Sequence, residues 1–420
     1  MKIAIITSGF LPVIDGVTVS ALYRLQRLSE WGHQVLFFCP DYSSLAAMYP
    51  NWQDYTGSIL PGVRVINLPS TPFMGIDFER NVGIKSYKIV LEELDKFQPD
   101  IIHVDEPERL FVGFFRVPGI HFAKRNGIPY ISFFRTNFLE YAEDFFILPA
   151  VAFNLLKFLL KNLIVKVYNS YQLTLVTSTV TNRKLIEMGI KNTVYVNLVG
   201  YDTAKFHPSL RKEKFFEQNY GLPDVDRRIK LIFLGRLTPD KGWEFTMNAF
   251  TKVVQEVNRE NIALIIAGDG PMRDQIAHRL GKLIPNVHLL GRVPPDAVPA
   301  LLANSDIHVT TSEKEARGLT VLEAFAAGIP VIAARAGGLV ENIRDGWNGF
   351  LYTPQDQDDF VRKLKTLTEN RELRQEMGRN GMQCVANYSW DDAVRNLVGV
   401  WEEQIAKNAQ MSRKVFGEKQ

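Results

Sequence analysis

The chain has 420 residues, 46% of them hydrophobic, and its 49 basic against 46 acidic residues leave a formal charge of +3. That length predicts two to three domains, and the apolar share excludes a disordered or fibrous chain. The near balance of charge argues against a clustered basic surface for nucleic acid, and two distant cysteines, Cys39 and Cys384, exclude a disulfide framework and a cysteine zinc site and fit a reducing cytosol.

At the start, one Lys precedes Ile3-Ala4-Ile5-Ile6. This is too short for a signal-peptide core and predicts a buried opening strand. Nowhere do about 18 apolar residues run uninterrupted, so no membrane-spanning helix is expected. Apolar runs at 1–7, 34–39, 101–104, 130–134 and 173–176 predict strands, with helices over 20–31 and 81–97. After Pro208 the rhythm restarts, with strands at 229–234, 263–267, 287–290, 307–310 and 330–333. Such alternation predicts an α/β chain with parallel sheets and right-handed crossovers. Two restarting series favour two open, doubly wound sheets over one closed barrel. The predicted domains are 1–200 and 201–389. The polar stretch 209–228 is a boundary candidate, but the linker is placed at 200–208, where the chain leaves a predicted strand over 194–199. A final amphipathic helix at about 390–407 is expected to pack back on the first domain, ahead of a polar, frayed tail over 408–420.

Two segments carry the chemistry. Gly235-Arg236-Leu237-Thr238-Pro239-Asp240-Lys241-Gly242 follows a strand and precedes a helix. Cations at a strand's carboxyl end, beside a helix N-terminus, suit a diphosphate. A plain turn with surface cations explains this octapeptide equally well when it is taken alone. Glu315-Ala316-Arg317-Gly318-Leu319-Thr320-Val321-Leu322-Glu323 places one carboxylate on a loop and a second in a mostly apolar helix. A charge there needs a partner, and two ribose hydroxyls would serve.

Together these segments resemble the family 4 glycosyltransferases, retaining enzymes with the GT-B fold of two Rossmann-like domains facing across a cleft. The resemblance extends through Ala267-Gly268-Asp269-Gly270-Pro271, Gly291-Arg292-Val293, Gly328-Ile329-Pro330, and Gly337-Gly338 with Glu341, Gly346 and Gly349. In the first half, Pro12-Val13-Ile14-Asp15-Gly16-Val17 resembles the family's glycine loop near the donor phosphate. Its Asp-Gly-Val form is similar to a subgroup that contains lipid-linked and diacylglycerol glycosyltransferases. The resemblance implies a UDP- or GDP-linked sugar donor and no metal. Arg236 and Lys241 would neutralise the leaving diphosphate. Glu323 would hold the ribose and Glu315 the sugar hydroxyls. Gly16, Gly235, Gly270, Val293, Gly318, Leu319 and Thr320 would complete the donor site. Gly270-Pro271 reads as a tight turn by the base, with Pro271 at the first helical position, and Glu341 as a helix-start residue.

Two departures stand out. Arg135 occupies the place of the family's sugar-contacting histidine, and Arg317 replaces an aromatic residue. Arg cannot act as acid or base, but its planar fork suits an anion. An acidic sugar is one expectation, and a bond to a neutral hydroxyl or phosphate oxygen is the other. His103 reads as a core histidine, and Asp105 and Glu106 as candidate acceptor contacts. A metal site among these three is disfavoured because neighbouring strand residues face opposite ways.

The apolar segment 145–168 carries Asn154, Lys157 and Lys161 in a stripe at helical spacing, with Lys166 beyond. It fits a membrane-interface helix or a core helix with a solvated edge. The sequence thus predicts transfer of a hexosyl group to a membrane lipid or lipid-linked acceptor. The expected location is cytoplasmic, with peripheral association at the inner membrane face. A soluble sugar or polysaccharide acceptor, a GT-B epimerase and a non-catalytic binding protein stay open as alternatives.

Overall fold

The computed structural model describes residues 1–73, 76–135, 150–386 and 388–417. The chain divides into two compact units, Met1–Leu198 with Trp390–Gln420, and Val199–Ser389.

The strands of the first unit are β1 (Lys2–Ile6), β2 (Gln34–Pro40), β3 (Gly57–Leu60), β4 (Val63–Leu68), β5 (Ser70–Phe73), β6 (Ile76–Val82), β7 (Ile101–Asp105), β8 (Tyr130–Phe134), β9 (Leu173–Val176) and β10 (Thr193–Tyr195). Eight of them form one sheet in the order β10-β9-β8-β7-β1-β2-β4-β3. Only β3 runs antiparallel, against β4, and β5 and β6 form a separate hairpin. In the second unit, β11 (Ile229–Leu234), β12 (Ile262–Ala267), β13 (Val287–Gly291), β14 (Ile307–Thr310), β15 (Val331–Ala334) and β16 (Gly349–Tyr352) build a parallel sheet in the order β13-β12-β11-β14-β15-β16.

Helices cover both faces of each sheet, which is why the inner strands are continuous apolar runs. All six residues of β12 are buried. One core lies on each face: Leu231, Leu264, Ile266 and Phe250 pack on one side of the second sheet, Ile232, Ile265, Leu322 and Phe325 on the other.

In both units the strand order reverses at a single place. From β1 the chain runs outward through β2 and returns to β7 on the other side. From β11 it runs through β12 and β13 and returns to β14. The loops leaving β1 and β7, and those leaving β11 and β14, therefore diverge and open a crevice at the carboxyl ends of those strands.

Several expectations shift. The predicted helix over 81–97 is Ser86–Phe97, because Asn81 and Val82 end β6. The stretch 209–228 lies inside the second unit and carries the helix Phe215–Tyr220. The final helix runs from Trp390 to Gly417, so most of the expected frayed tail is helical. Its Val394, Leu397 and Trp401 join the first unit's core with Ile3, Phe37 and Ile131. Tyr23 stacks on Trp390 at 5.3 Å, and Arg27 pairs with Asp391 at 2.5 Å.

Candidate functional site

In the second unit, the site grows from the loops after β11 and β14, which are adjacent strands. The β11 loop turns at Gly235 and passes through the short turn Pro239–Lys241 before the helix Trp243–Glu256. It is clamped from both sides. The Thr311 hydroxyl donates to the carbonyls of Lys241 and Gly242 at 3.1 Å each, and Ser312 Oγ donates to Asp240 O at 3.3 Å. On the other side it packs against the loop after β12. Gly268 has φ +151, and a Cβ there would sit 1.8 Å from Gly235 O. Only glycine lets the two loops meet. Gly270 packs on Leu237 in the same way, with a Cβ there 2.5 Å from Leu237 O. Pro271 precedes the helix Arg273–Gly281 by two residues instead of opening it.

This clamp presents Arg236 and Lys241 together. Lys241 Nζ is 2.6 Å from Glu315 Oε1 and 3.9 Å from Asp240 Oδ2, and Arg236 Nη2 is 3.5 Å from the same Asp240 oxygen. Burial would raise the pKa of Glu315. The Lys241 ammonium, a Ser312 hydrogen bond and Arg236 outweigh it and hold the carboxyl below its usual value. Gly337-Gly338 fixes the Glu315 loop by close approach: a Cβ on Gly338 would lie 2.0 Å from Ala316 O.

The helix Leu319–Ala326 starts on Gly318 and points its first turn at the same crevice. Thr320 is tied to the sheet, since His308 on β14 lies 3.2 Å from both Thr320 Oγ1 and Ile232 O. Ile232 O can only accept, so Nδ1 carries the proton and Nε2 receives the Thr320 hydroxyl. Burial pushes His308 down to about 4, which keeps it neutral. Glu323, one turn into the helix, has no hydrogen-bond or ionic partner among the described residues, and burial alone pushes it up to about 7. Leu319 and Val293 are half-buried against the apolar core.

Arg317 is held by protein partners. Its guanidinium pairs with Glu341, donates to Tyr388 Oη at 3.1 Å and lies over the Tyr388 ring. Glu341 therefore anchors Arg317 as well as sitting in the short helix Leu339–Asn342.

Two further residues that the resemblance places at the donor, Gly16 and Arg135, lie in the first unit. Gly16 opens the helix Gly16–Glu30, but Asp15 caps it. The Asp15 carboxylate accepts from the backbone N–H groups of Val17 and Thr18 at 2.8 Å each. The chain's own carboxylate thus occupies the N–H groups at the start of this helix.

Arg135 is 8% exposed and paired. It reaches Asp105 at 3.3 Å, donates to Ser20 Oγ and lies over the Phe133 ring. Asp105 is the hub. Arg24 holds it at 2.6 Å and His103 at 2.8 Å. Trp401 Nε1 donates to His103 Nδ1 at 3.2 Å, so His103 presents Nε2–H to Asp105. Burial would raise Asp105. Arg24, His103 and Arg135 together hold it well below the carboxylate range. With 0% exposure and three partners, Asp105 is a structural anchor, which corrects its reading as an acceptor contact. Glu106 beside it is buried as well, at 4% exposure, with fewer partners. It takes a left-handed backbone conformation at φ +51 just after β7, and it accepts from Ser8 Oγ in the loop after β1.

Sequence reading missed Asp240, His308 and Arg24. Each sat in a quoted motif or predicted element, but its role depends on burial against residues at least 70 positions away or on the turn geometry itself.

Residues 14–205 match the family described as Glycosyltransferase Family 4, and residues 216–383 match Glycosyl transferases group 1. The chain belongs to the family 4 glycosyltransferases. It is 30% identical over 314 residues to the sulfoquinovosyl transferase of Arabidopsis thaliana, covering 73% of this chain and 57% of that one. A GDP-mannose-dependent alpha-mannosyltransferase of Mycolicibacterium smegmatis is 28% identical over 417 residues, with 97% and 99% covered. The alpha-monoglucosyldiacylglycerol synthase of Streptococcus pneumoniae is 26% identical over 359 residues, with 84% and 75% covered. Among solved structures, the Anabaena protein HepE in complex with UDP and glucose superposes with a TM-score of 0.70 at 20% identity, covering 96% of this chain and all of that one. The fold is GT-B.

Proposed function

We propose that this family 4 glycosyltransferase moves a hexosyl group, with retention, from a nucleotide sugar to a membrane lipid or lipid-linked acceptor. The observation that carries the donor half is the second unit's switch-point crevice. Two cations, Arg236 and Lys241, stand there beside Glu315, near a helix whose half-buried Glu323 has no partner among the described residues. Arg236 and Lys241 stabilise charge as it develops on the departing diphosphate. The N–H groups of Leu319 and Thr320 add donors at the helix start. Glu323 accepts the two ribose hydroxyls, which satisfies its carboxylate. Glu315, oriented by Lys241, accepts from the sugar's hydroxyls. Fixed cations at the leaving group support a reaction that needs no divalent metal.

For the acceptor half, the helix Ala150–Tyr168 supplies the argument. The expected segment begins at 145, and its residues 145–149 lie outside the described ones. Leu155, Phe158 and Leu159 are 60%, 60% and 56% exposed, and Lys157, Lys161 and Lys166 lie on the same helix. Its C-terminal end, at Ile164, Val167 and Tyr168, is buried. An anchored helix with an apolar outer stretch and lysines suits an anionic lipid surface. The glucosyldiacylglycerol in the name of the Streptococcus relative agrees. Among the described residues no helix is long and apolar enough to cross a membrane, so contact would be peripheral.

The test is a transfer assay with UDP- and GDP-linked sugars and a membrane lipid extract as acceptor. Sugar appearing in the lipid phase supports the reading. Transfer only to soluble saccharides would replace the lipid acceptor. A sulfonated or uronic donor is a second reading, favoured by the likeness to a sulfoquinovosyl transferase. Arg135 and Arg317 weigh against it, because both already pair with protein carboxylates. A wild type that prefers an acidic donor, with Arg135→His shifting it towards neutral ones, would establish that second reading.

A further inference from the structure

We propose that Asp240 is a positioning residue that spaces the two donor-site cations and limits how tightly the nucleoside diphosphate product is held. The inference rests on the donor-site reading above and concerns a side chain to which that reading gives no role.

Asp240 sits between Pro239 and Lys241, and its side chain is 1% exposed. Among the described residues neither carboxylate oxygen makes a hydrogen bond. Buried carboxylates are normally hydrogen-bonded, so this one acts through charge. The charges it faces are Arg236 at 3.5 Å and Lys241 at 3.9 Å, one on either side of it in sequence. It cannot drift from them. Its own carbonyl is held by Ser312, and the next two carbonyls by Thr311. A Cβ on Gly242 would fall 2.3 Å from Thr311 O, so the turn is pressed against the β14 loop.

Arg236, Lys241, Asp240 and Glu315 sum to zero charge before any donor arrives. The consequence follows from differential binding. Catalysis needs the cations to meet charge that grows on the leaving diphosphate in the transition state. The same cations also face the free nucleoside diphosphate afterwards. With no nearby carboxylate they would retain it, and release would slow turnover. A buried carboxylate in contact with both cations weakens that hold while keeping them side by side.

The experiment is calorimetric titration of the 420-residue chain with UDP and with GDP, paired with donor kinetics. Asp240→Asn keeps the shape and removes the charge. At a distance of several ångströms and protein-like screening, the expected gain is about ten-fold in affinity for the nucleoside diphosphate. Both kcat and the donor KM should fall, and Asp240→Glu should return affinity towards wild type. A residue that merely supports the turn would give weaker binding in Asp240→Asn. Unchanged or weaker binding in a variant that melts at the wild-type temperature overturns the proposal. If the Asn variant does not fold, Asp240→Ser, smaller and uncharged, carries the same reading with the same two outcomes. A wild type that binds neither UDP nor GDP would remove the donor site, and the role of Asp240 with it.

Discussion

Half-buried Glu323 and fully enclosed Glu108 are both carboxyls with raised pKa values, and they make opposite demands. Glu323 has no partner among the described residues and is pushed up to about 7 by burial alone. Ribose hydroxyls donate best to the ionised form, so a nucleotide binds the deprotonated protein preferentially. Affinity for the nucleoside diphosphate should therefore rise between pH 6 and about 7, then level off. Glu323→Gln should flatten that profile and weaken binding by one to two orders of magnitude, as expected for lost hydrogen bonds to a charged group. Titration calorimetry across pH reads both effects, and a flat wild-type profile would take Glu323 out of the site. Glu108 instead has a partner, Tyr168 Oη at 2.5 Å. Burial, and then the neighbouring Glu106 charge, push it up to about 8. A carboxyl raised in the folded state stabilises the fold fully below its unfolded value, near 4.5, and that contribution is lost as pH climbs through about 8. Glu108→Gln should leave stability at pH 4 little changed and raise it above pH 8 by a few kcal/mol, at about 1.4 per unit. Urea unfolding at the two pH values is the check, and equal effects at both would show that Glu108 titrates normally.

Helices bring the next scale of consequence. The helix Ala150–Tyr168 joins two environments: exposed Leu155, Phe158 and Leu159 towards one end, and Tyr168, bonded to buried Glu108, at the other. Replacing Phe158 and Leu159 with Ser should abolish flotation with anionic vesicles while leaving the fold intact, because both side chains are more than half exposed. Unchanged flotation would move the acceptor surface elsewhere. The C-terminal helix behaves differently. Trp401 is fully buried, and its indole N–H fixes His103, which orients Asp105 between Arg24 and Arg135. Trp401→Ala should cost about 3–5 kcal/mol through the cavity it leaves. Trp401→Phe keeps most of the volume and should mainly release His103. Transfer activity falling further than stability in the Phe variant would tie this helix to Arg135, and a parallel loss would make its role one of packing.

For the whole molecule, what could be read from the sequence follows from what is local. Strands such as Tyr130–Phe134 and Ile307–Thr310 were legible because burial on both faces makes them short unbroken apolar runs. The strands Gly57–Leu60 and Ser70–Phe73 were not, since they lie at an edge and in a separate hairpin, where alternation and polar residues hide the pattern. Arg236, Lys241, Glu315 and Glu323 could be singled out because they fall in two continuous loop-to-helix segments, which follow the adjacent strands β11 and β14. The Arg24–Asp105 pair and the Trp401–His103 bond were not, because they join residues 81 and 298 positions apart. Arg135 shows the limit most clearly. Its residue type suggested a cation for the substrate, whereas the fold gives it Asp105. The central claim is that donor chemistry at Arg236 and Lys241 proceeds with retention and without a metal. Proton NMR of the glycoside formed from an α-linked nucleotide sugar, with chelator present, tests it most directly. The account predicts an α-linked product from the wild type in chelator, and a rate lower by orders of magnitude in Lys241→Ala. A β-linked product, or transfer that stops in chelator and returns with magnesium or manganese, would contradict it.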